Sequence, residues 1–119
     1  MAAKLSPSFK VWDAVAVSGT DTYKSASSNI QGARLVSYIV AFTGTMTGTL
    51  TVEVSNSSQD QVNAGTDTWT TYSGISIPAI TTATTFGIEL VDLAFGRVRL
   101  SYTNATNSGT VTATVTVKG

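Results

Sequence analysis

The segment from Gly109 to Lys118 alternates between apolar and hydroxyl side chains at nearly every step. Its apolar residues Val111, Ala113, Val115 and Val117 are separated by threonines. Successive side chains of a β-strand point to opposite faces of a sheet, whereas a helix would scatter this pattern around its axis. Threonine is β-branched and bonds to water, so it suits a solvent-facing strand surface. The segment predicts a strand with one face on a core and a threonine face outside.

Other segments repeat the alternation. Thr49 to Ser55 and Gly96 to Thr103 each place three apolar side chains on one face. Leu35 to Thr43 is apolar on both faces, as in a strand that is central in a sandwich or pressed against another subunit. Weaker strand patterns occur in residues 9–17, around 29–30, 68–72 and 84–90, and residues 75–85 fit a strand or a long connection.

Turn signals separate these segments, and no helix of credible length is predicted. The glycines around Thr45, Met46 and Thr47 predict a tight hairpin between two successive strands. About seven or eight short strands at this spacing predict an all-β, antiparallel β-sandwich, and a jelly roll is one architecture that fits. Residues 9–119 form the expected single domain. Residues 1–8, which contain Pro7, are expected to be an extended arm, either frayed or ordered by a neighbouring subunit.

The composition removes several classes of function. The chain of 119 residues has no cysteine and no histidine, so disulfides, thiolate metal sites and the commonest general base are absent. Seven basic and seven acidic residues cancel, which leaves no excess charge for binding nucleic acid. Only 12% of residues are charged, about half the usual share. A surface covered by partners would tolerate this, and the alternative is a secreted domain solubilised by its hydroxyls.

The remaining candidates for chemistry are few. A serine paired with Lys10, Lys24 or Lys118 is formally available, but no strained nucleophile turn surrounds any serine. The nearby carboxylates do not suggest a two-carboxylate cleft. We therefore expect no enzyme, no catalytic residue and no cofactor. The loop from Ser57 to Asp67 offers oxygen ligands and a glycine, and a calcium site there is weighed against an ordinary polar loop, which is favoured.

Aromatic residues offer one binding hypothesis. Trp69 and Tyr72, with Trp12 as a further contributor, could stack on a sugar ring as a carbohydrate-binding or adhesive module does. The opposing interpretation, which is favoured, is that these side chains anchor a core or a subunit interface. The two interpretations differ in whether Trp69 and Tyr72 are exposed together on one surface.

The sequence shows no targeting or membrane segment. The N-terminus has no apolar h-region of a secretory signal, and no apolar run approaches the length of a membrane span. The chain is therefore expected to be made in the cytoplasm, without a membrane partner.

Two stretches resemble small structural proteins encoded in the virion gene clusters of tailed bacteriophages. The first is Thr43 to Asn56, and the second is Phe95 to Tyr102 followed by the strand from Gly109 to Gly119. Trp69 holds the matching place in the middle strand, and the loop from Ser57 to Asp67 departs from the short turn of that pattern. The likeness covers about residues 35–119 and carries no catalytic residues with it.

The resemblance implies a virion component made in the host cytoplasm, either a capsid decoration or cement protein or a head- or tail-associated protein. Such proteins commonly form closed homo-oligomers, often trimers, and contact other virion proteins such as the major capsid protein. The arm and the strand from Leu35 to Thr43 are the expected contact elements.

Overall fold

The computed structural model describes residues 8–119. Residues 1–7 of the predicted arm lie outside the described residues, and Ser8 is the first residue of a strand. The elements in chain order are β1 (Ser8–Val17), β2 (Thr22–Lys24), β3 (Ser28–Asn29), β4 (Leu35–Gly44), β5 (Thr47–Ser55), α1 (Gln59–Ala64), β6 (Thr70–Thr71), β7 (Thr84–Val91), β8 (Arg97–Thr106) and β9 (Gly109–Lys118).

The strands form two antiparallel sheets packed face to face. Sheet A has the order β1-β9-β4-β7, and sheet B has the order β2-β8-β5-β6, with β3 also paired to β8. This confirms the prediction of an all-β antiparallel sandwich. The described chain has nine strands, slightly more than expected, because the three-residue β2 was not predicted from the sequence.

The strand order is that of a jelly roll. The chain pairs with itself as one folded ribbon: β1 with β9, β2 with β8, β4 with β7, and β5 with β6. The ribbon folds back on itself between β5 and β6. Along the ribbon, successive strand pairs lie alternately in sheet A and in sheet B. Two further pairings, β4 with β9 and β5 with β8, close each sheet. Two Greek keys wound in this way define the jelly roll.

The core lies between the inner faces of the two sheets. Val111, Ala113 and Val115 of β9 are fully buried, as the alternation predicts, and the intervening threonines face outward. β4 contributes Val36, Tyr38, Val40 and Phe42 from its even positions, and sheet B contributes Leu50, Val52, Val54, Val98, Leu100 and Tyr102. Each such side chain stabilises the fold by about 1.5–3 kcal/mol relative to its exposed state.

The predicted hairpin at Gly44 to Gly48 is wrong. β4 belongs to sheet A and β5 to sheet B, so this segment carries the chain across the corner of the sandwich. Residues 107–108 cross back beside it, and the paired strands bend together. Asn107, at φ 64°, donates from Nδ2 to the Thr45 carbonyl over 3.1 Å. Gly44 is at φ 84°, and a Cβ there would meet the Ser108 carbonyl, so this corner requires glycine.

A short helix replaces the predicted polar loop between β5 and β6. Ser58 caps α1 by accepting from the Gln61 backbone N–H over 3.2 Å, while the Gln61 side chain accepts from the Ser58 N–H over 2.8 Å. Gly65 ends the helix in the left-handed region at φ 72°. The spacing Ser-x-x-Gln is a capping box, and it satisfies backbone donors that the helix itself leaves free. Asp60 lies exposed in the first turn of this helix.

Candidate functional site

A charged cluster lies on the outer face of sheet B, where Arg97 of β8 is the other charged residue of the strand surface. Glu53 of β5 stands opposite Arg99 of β8 in the ladder, and Lys24 of β2 stands opposite Ser101 on the other side of β8. The Glu53 carboxylate accepts from Arg99 Nε over 2.8 Å and from Lys24 Nζ over 3.0 Å. Lys24 Nζ also donates to Ser101 Oγ over 2.9 Å. The cluster therefore ties three neighbouring strands together.

Glu53 is held in its charged form by this arrangement. Its side chain is only 14% exposed, and burial by itself would raise the pKa of the carboxyl. The hydrogen bonds from Lys24 and Arg99, together with their charges, outweigh burial, and the pKa of Glu53 lies below its ordinary value. Such a carboxylate is poorly suited to act as a general acid or base near neutral pH.

Trp69 covers the charged cluster from the edge of sheet B. Its ring centroid lies 4.1 Å from the guanidinium carbon of Arg99, a cation–π contact of about 0.5–1 kcal/mol at a partly exposed site. The indole Nε1 donates to Asp67 Oδ2 over 2.6 Å, which fixes the ring in its plane. Trp69 is half-buried, so part of the indole remains open to solvent.

The other two aromatic candidates lie elsewhere. Trp12 of β1 is 4% exposed and belongs to the core. Tyr72 packs against the core from the edge of sheet B, with its ring 6.4 Å from that of Phe95 in an edge-to-face arrangement. Trp69 and Tyr72 flank the two residues of β6, and strand alternation sends them to opposite faces. The three side chains therefore do not form one stacking platform.

The loop considered for calcium is held by protein contacts. The Asp67 carboxylate accepts a hydrogen bond from the Trp69 indole. Arg97 is buried and donates from Nε to the Ser57 carbonyl over 3.2 Å and from Nη2 to Gln59 Oε1 over 2.8 Å, which fastens the start of α1 to β8. Within residues 8–119, no group of three or more Asp, Glu, His or Cys side chains lies close enough to hold a metal ion.

None of the helical structure within residues 8–119 has the length and apolar character that a membrane-spanning helix needs.

The outer face of sheet A carries a single charge on its two central strands, Lys118 at the end of β9. The other outward side chains of β4 and β9 are neutral: Leu35, Ser37, Ile39, Ala41, Thr43, Thr110, Thr112, Thr114 and Thr116. Several hydroxyls bond to one another or to backbone, as Thr43 with Thr110 over 2.6 Å and Thr112 with the Ala14 N–H over 3.0 Å. A hydroxyl that already has a hydrogen-bond partner within the protein costs less free energy to bury than a hydroxyl without one. This face is thus suited to burial against another protein.

Part of this geometry is visible in the sequence. Arg99 and Glu53 are directly opposite across the strands, where opposite charges commonly pair. Lys24 as the second partner, and Trp69 over Arg99, could not be predicted, because both contacts depend on which strands are neighbours. The apolar outward side of β4 was visible in the sequence as the two-sided strand from Leu35 to Thr43.

Comparison with known proteins gives one informative likeness. No protein-family model matches the chain, and no curated protein sequence matches it. A chain in the structure of infectious bursal disease virus, Gx strain, is similar in fold, with a TM-score of 0.52 and 13% sequence identity. The likeness covers 99% of this chain and 34% of the viral chain, so this chain spans about a third of the length of that one. At this level of identity the likeness shows the fold alone.

Proposed function

We propose that the chain is a non-enzymatic structural component of a bacteriophage virion, either a capsid decoration or cement protein or a head- or tail-associated protein. It acts by self-association and, through the outer face of sheet A, by contacts with other virion proteins such as the major capsid protein. The observation that carries the proposal is the outer face of sheet A on a jelly-roll sandwich, where Lys118 is the single charge on the two central strands. The fold likeness to a chain of a virus structure and the resemblance to phage virion proteins support the same assignment.

The physical basis is the low cost of covering this sandwich. Ile39 is 56% exposed in the middle of β4 and is surrounded by threonine hydroxyls rather than by charges. Burying apolar area against a partner contributes about 25 cal/mol per Å². Around Ile39 no charged group of β4 or β9 has to be desolvated, because Lys118 lies at the end of β9, opposite Leu35. The arm of residues 1–8 is proposed as a second contact element.

The assignment to a virion is tested on particles. An antibody against the purified protein is applied to virions from the source of the gene, banded on a density gradient and washed with salt. The expected result is a band in the particle fraction at a fixed ratio to the major capsid protein. Absence of the protein from washed particles that otherwise retain their full protein set would overturn the proposal.

A carbohydrate-binding role is a second proposal, and it now depends on Trp69 alone. The half-exposed indole beside the polar groups of Glu53, Lys24 and Arg99 provides a stacking surface with hydrogen-bonding partners. A glycan array probed with the wild type and with Trp69→Ala tests it. Binding that is lost in Trp69→Ala would favour this role, and no binding above background by the wild type would reject it.

A further inference from the structure

The free edge of β7 differs from the other sheet edges of the described chain. β2 and β6 at the edges of sheet B have three and two residues. β1, at one edge of sheet A, is interrupted by two register shifts, has Ala14 at φ 48° and carries an exposed ion pair between Lys10 and Asp13. Short strands, bulges and charges are the means by which proteins prevent edge-to-edge pairing. Three of the four edges are therefore protected.

β7 is long and regular and carries a single charge. Its eight residues pair with β4 without a register shift, from Leu35 opposite Val91 to Phe42 opposite Thr84. The strand contains no proline and no lysine, and Glu89 is its only charge. In the described part of the chain, no backbone hydrogen bond joins β7 to the connection that precedes it. Grooves of about 190 and 390 Å³ lie between that connection and residues 84–89.

The ladder determines which backbone groups of β7 are free. The Asp92 N–H donates to the Arg34 carbonyl over 2.8 Å, so these two residues form a hydrogen-bonded pair. Bonded and non-bonded pairs alternate along an antiparallel ladder. Even-numbered residues of β7 therefore bond to β4. The odd-numbered residues turn their N–H and C=O groups to the open side, and they are Thr85, Gly87, Glu89 and Val91.

We propose that a second copy of this chain pairs with β7 edge to edge, antiparallel, with Gly87 of both copies on the two-fold axis. The two four-stranded A sheets then become one eight-stranded sheet. Three residue pairs are then joined by backbone hydrogen bonds. Gly87 of one copy pairs with Gly87 of the other, and in each copy Thr85 pairs with Glu89 of the other copy. The inference rests on the proposed function, because it names the edge through which self-association takes place.

Electrostatics selects this register over its neighbour. With Gly87 on the axis, the two Glu89 positions are four residues apart along the strands, about 14 Å. With Ile88 on the axis, they become diagonal neighbours at about 7–8 Å. Glu89 is the only charge on the strand, so the first register has the lower repulsion.

Apolar side chains flank the same axis. The Cδ1 atom of Ile39 lies 3.5 Å from where a Cβ of Gly87 would stand, so Ile39 leans over the glycine on the outer face. Phe9, Ile39 and Val91 are the large apolar side chains exposed in the described residues, and two of them, Ile39 and Val91 at 54%, adjoin this edge. Pairing through Gly87 brings the Ile39 side chains of the two copies toward each other and covers both.

Lysine substitutions test the edge. Gly87→Lys fits the single chain, because its Cβ meets nothing closer than 3.5 Å, but in the pair it sets two like charges directly opposite one another. Thr114→Lys is the matched control, since Thr114 lies in the same row, opposite Ile39 on β9, two strands away from the edge. By light scattering after gel filtration, we expect Gly87→Lys to weaken self-association about tenfold or more and Thr114→Lys to leave it unchanged.

Cysteine trapping tests the register, and the natural chain has no cysteine to interfere. Gly87→Cys places two sulfurs on residues whose Cα atoms lie about 5.5 Å apart in a bonded pair, within the range a disulfide spans. Thr85→Cys is the control, because its two copies would be about 14 Å apart. Oxidation is expected to give a covalent dimer of Gly87→Cys and none of Thr85→Cys.

The outcomes separate this inference from the proposed function. A Gly87→Lys protein with the wild-type mass and melting temperature, or a Gly87→Cys protein that stays uncrosslinked, would overturn edge pairing, whereas the virion assignment is decided on particles. Loss of self-association in Thr114→Lys but not in Gly87→Lys would also overturn it, because the outer face of sheet A would then be the contact. A wild type that is monomeric at all concentrations up to the solubility limit would reject it as well.

Discussion

Tyr38 and Tyr102 are buried tyrosines of the same core, and removing the hydroxyl from each is expected to have opposite effects. Tyr38 is 0% exposed, and its hydroxyl has no hydrogen-bond partner within the described chain. Burial raises the pKa of this phenol far above its ordinary value, so the group is neutral. Tyr102 is equally buried, but its hydroxyl donates to Asn104 Oδ1 over 3.1 Å.

The magnitude for Tyr38→Phe follows from two contributions. A buried polar group without a partner costs about 1–3 kcal/mol, and the substitution removes that cost while keeping the ring. The substitution also leaves a small cavity where the oxygen stood. At about 24 cal/mol per Å³, this cavity lowers the free energy of unfolding by only a few tenths of a kcal/mol. We expect Tyr38→Phe to raise the free energy of unfolding by about 1–2 kcal/mol, which for a chain of this size raises Tm by about 4–8 °C.

Tyr102→Phe is the matched control with the opposite sign. It leaves the Oδ1 atom of Asn104, a residue that is 1% exposed, without the donor that Tyr102 supplies, and we expect a loss of about 1–3 kcal/mol. Urea unfolding measures the difference in the free energy of unfolding between the two variants. The comparison requires that both have the same slope against denaturant concentration. A Tyr38→Phe protein less stable than the wild type would refute the reasoning, because the hydroxyl would then have a hydrogen bond that the substitution breaks.

Two further substitutions test the charged cluster and the sandwich corner. Because the pKa of Glu53 is lowered in the folded state, its contribution to stability is present above its ordinary pKa of 4.5 and is lost as the pH falls through the lower folded value. The stability difference between the wild type and Glu53→Gln should therefore shrink between about pH 5 and pH 3, and a difference independent of pH by urea unfolding would contradict this. Gly109→Ala places a Cβ against the Thr43 carbonyl and should cost about 1–3 kcal/mol. Gly87→Ala, whose Cβ would make only ordinary van der Waals contact with Ile39, should change the free energy of unfolding by less than about 0.5 kcal/mol. If the two glycine variants had equal thermal stability, the corner would accommodate the Cβ added at position 109 without a loss of stability, which would contradict this prediction.

The sequence predicts individual strands better than their arrangement. The alternation in Gly109 to Lys118 identifies β9 and its inner face because both are local properties of the chain. The glycines at 44 and 48 indicate a turn correctly but not its geometry, because whether successive strands share a sheet depends on pairing with β8 and β9 far along the chain. α1 was missed although its signals were present, namely the Ser58 to Gln61 spacing and Gly65. Its six residues are too few to show an apolar periodicity.

The candidate surfaces, too, can be predicted from the sequence only in part. The apolar and hydroxyl composition of β4 and β9 is visible in the sequence, and so is the single charge that they carry, at Lys118. The contact of Trp69 with Arg99 and the open edge of β7 arise only once the strand order is known. Edge or centre is a property of the whole sheet, and no local pattern encodes it.

The central place of β9 in sheet A has a consequence for synthesis. β9 is the last strand in chain order, yet it alone joins β1 to β4. While the chain is being translated, β1 and its Trp12 have no partner strand until Lys118 has left the ribosome. Sheet A can therefore be completed only after β9 has been translated, by pairing of segments that are distant in the chain. Until that step, the edges of β1 and β4 that will pair with β9 have no partner strand.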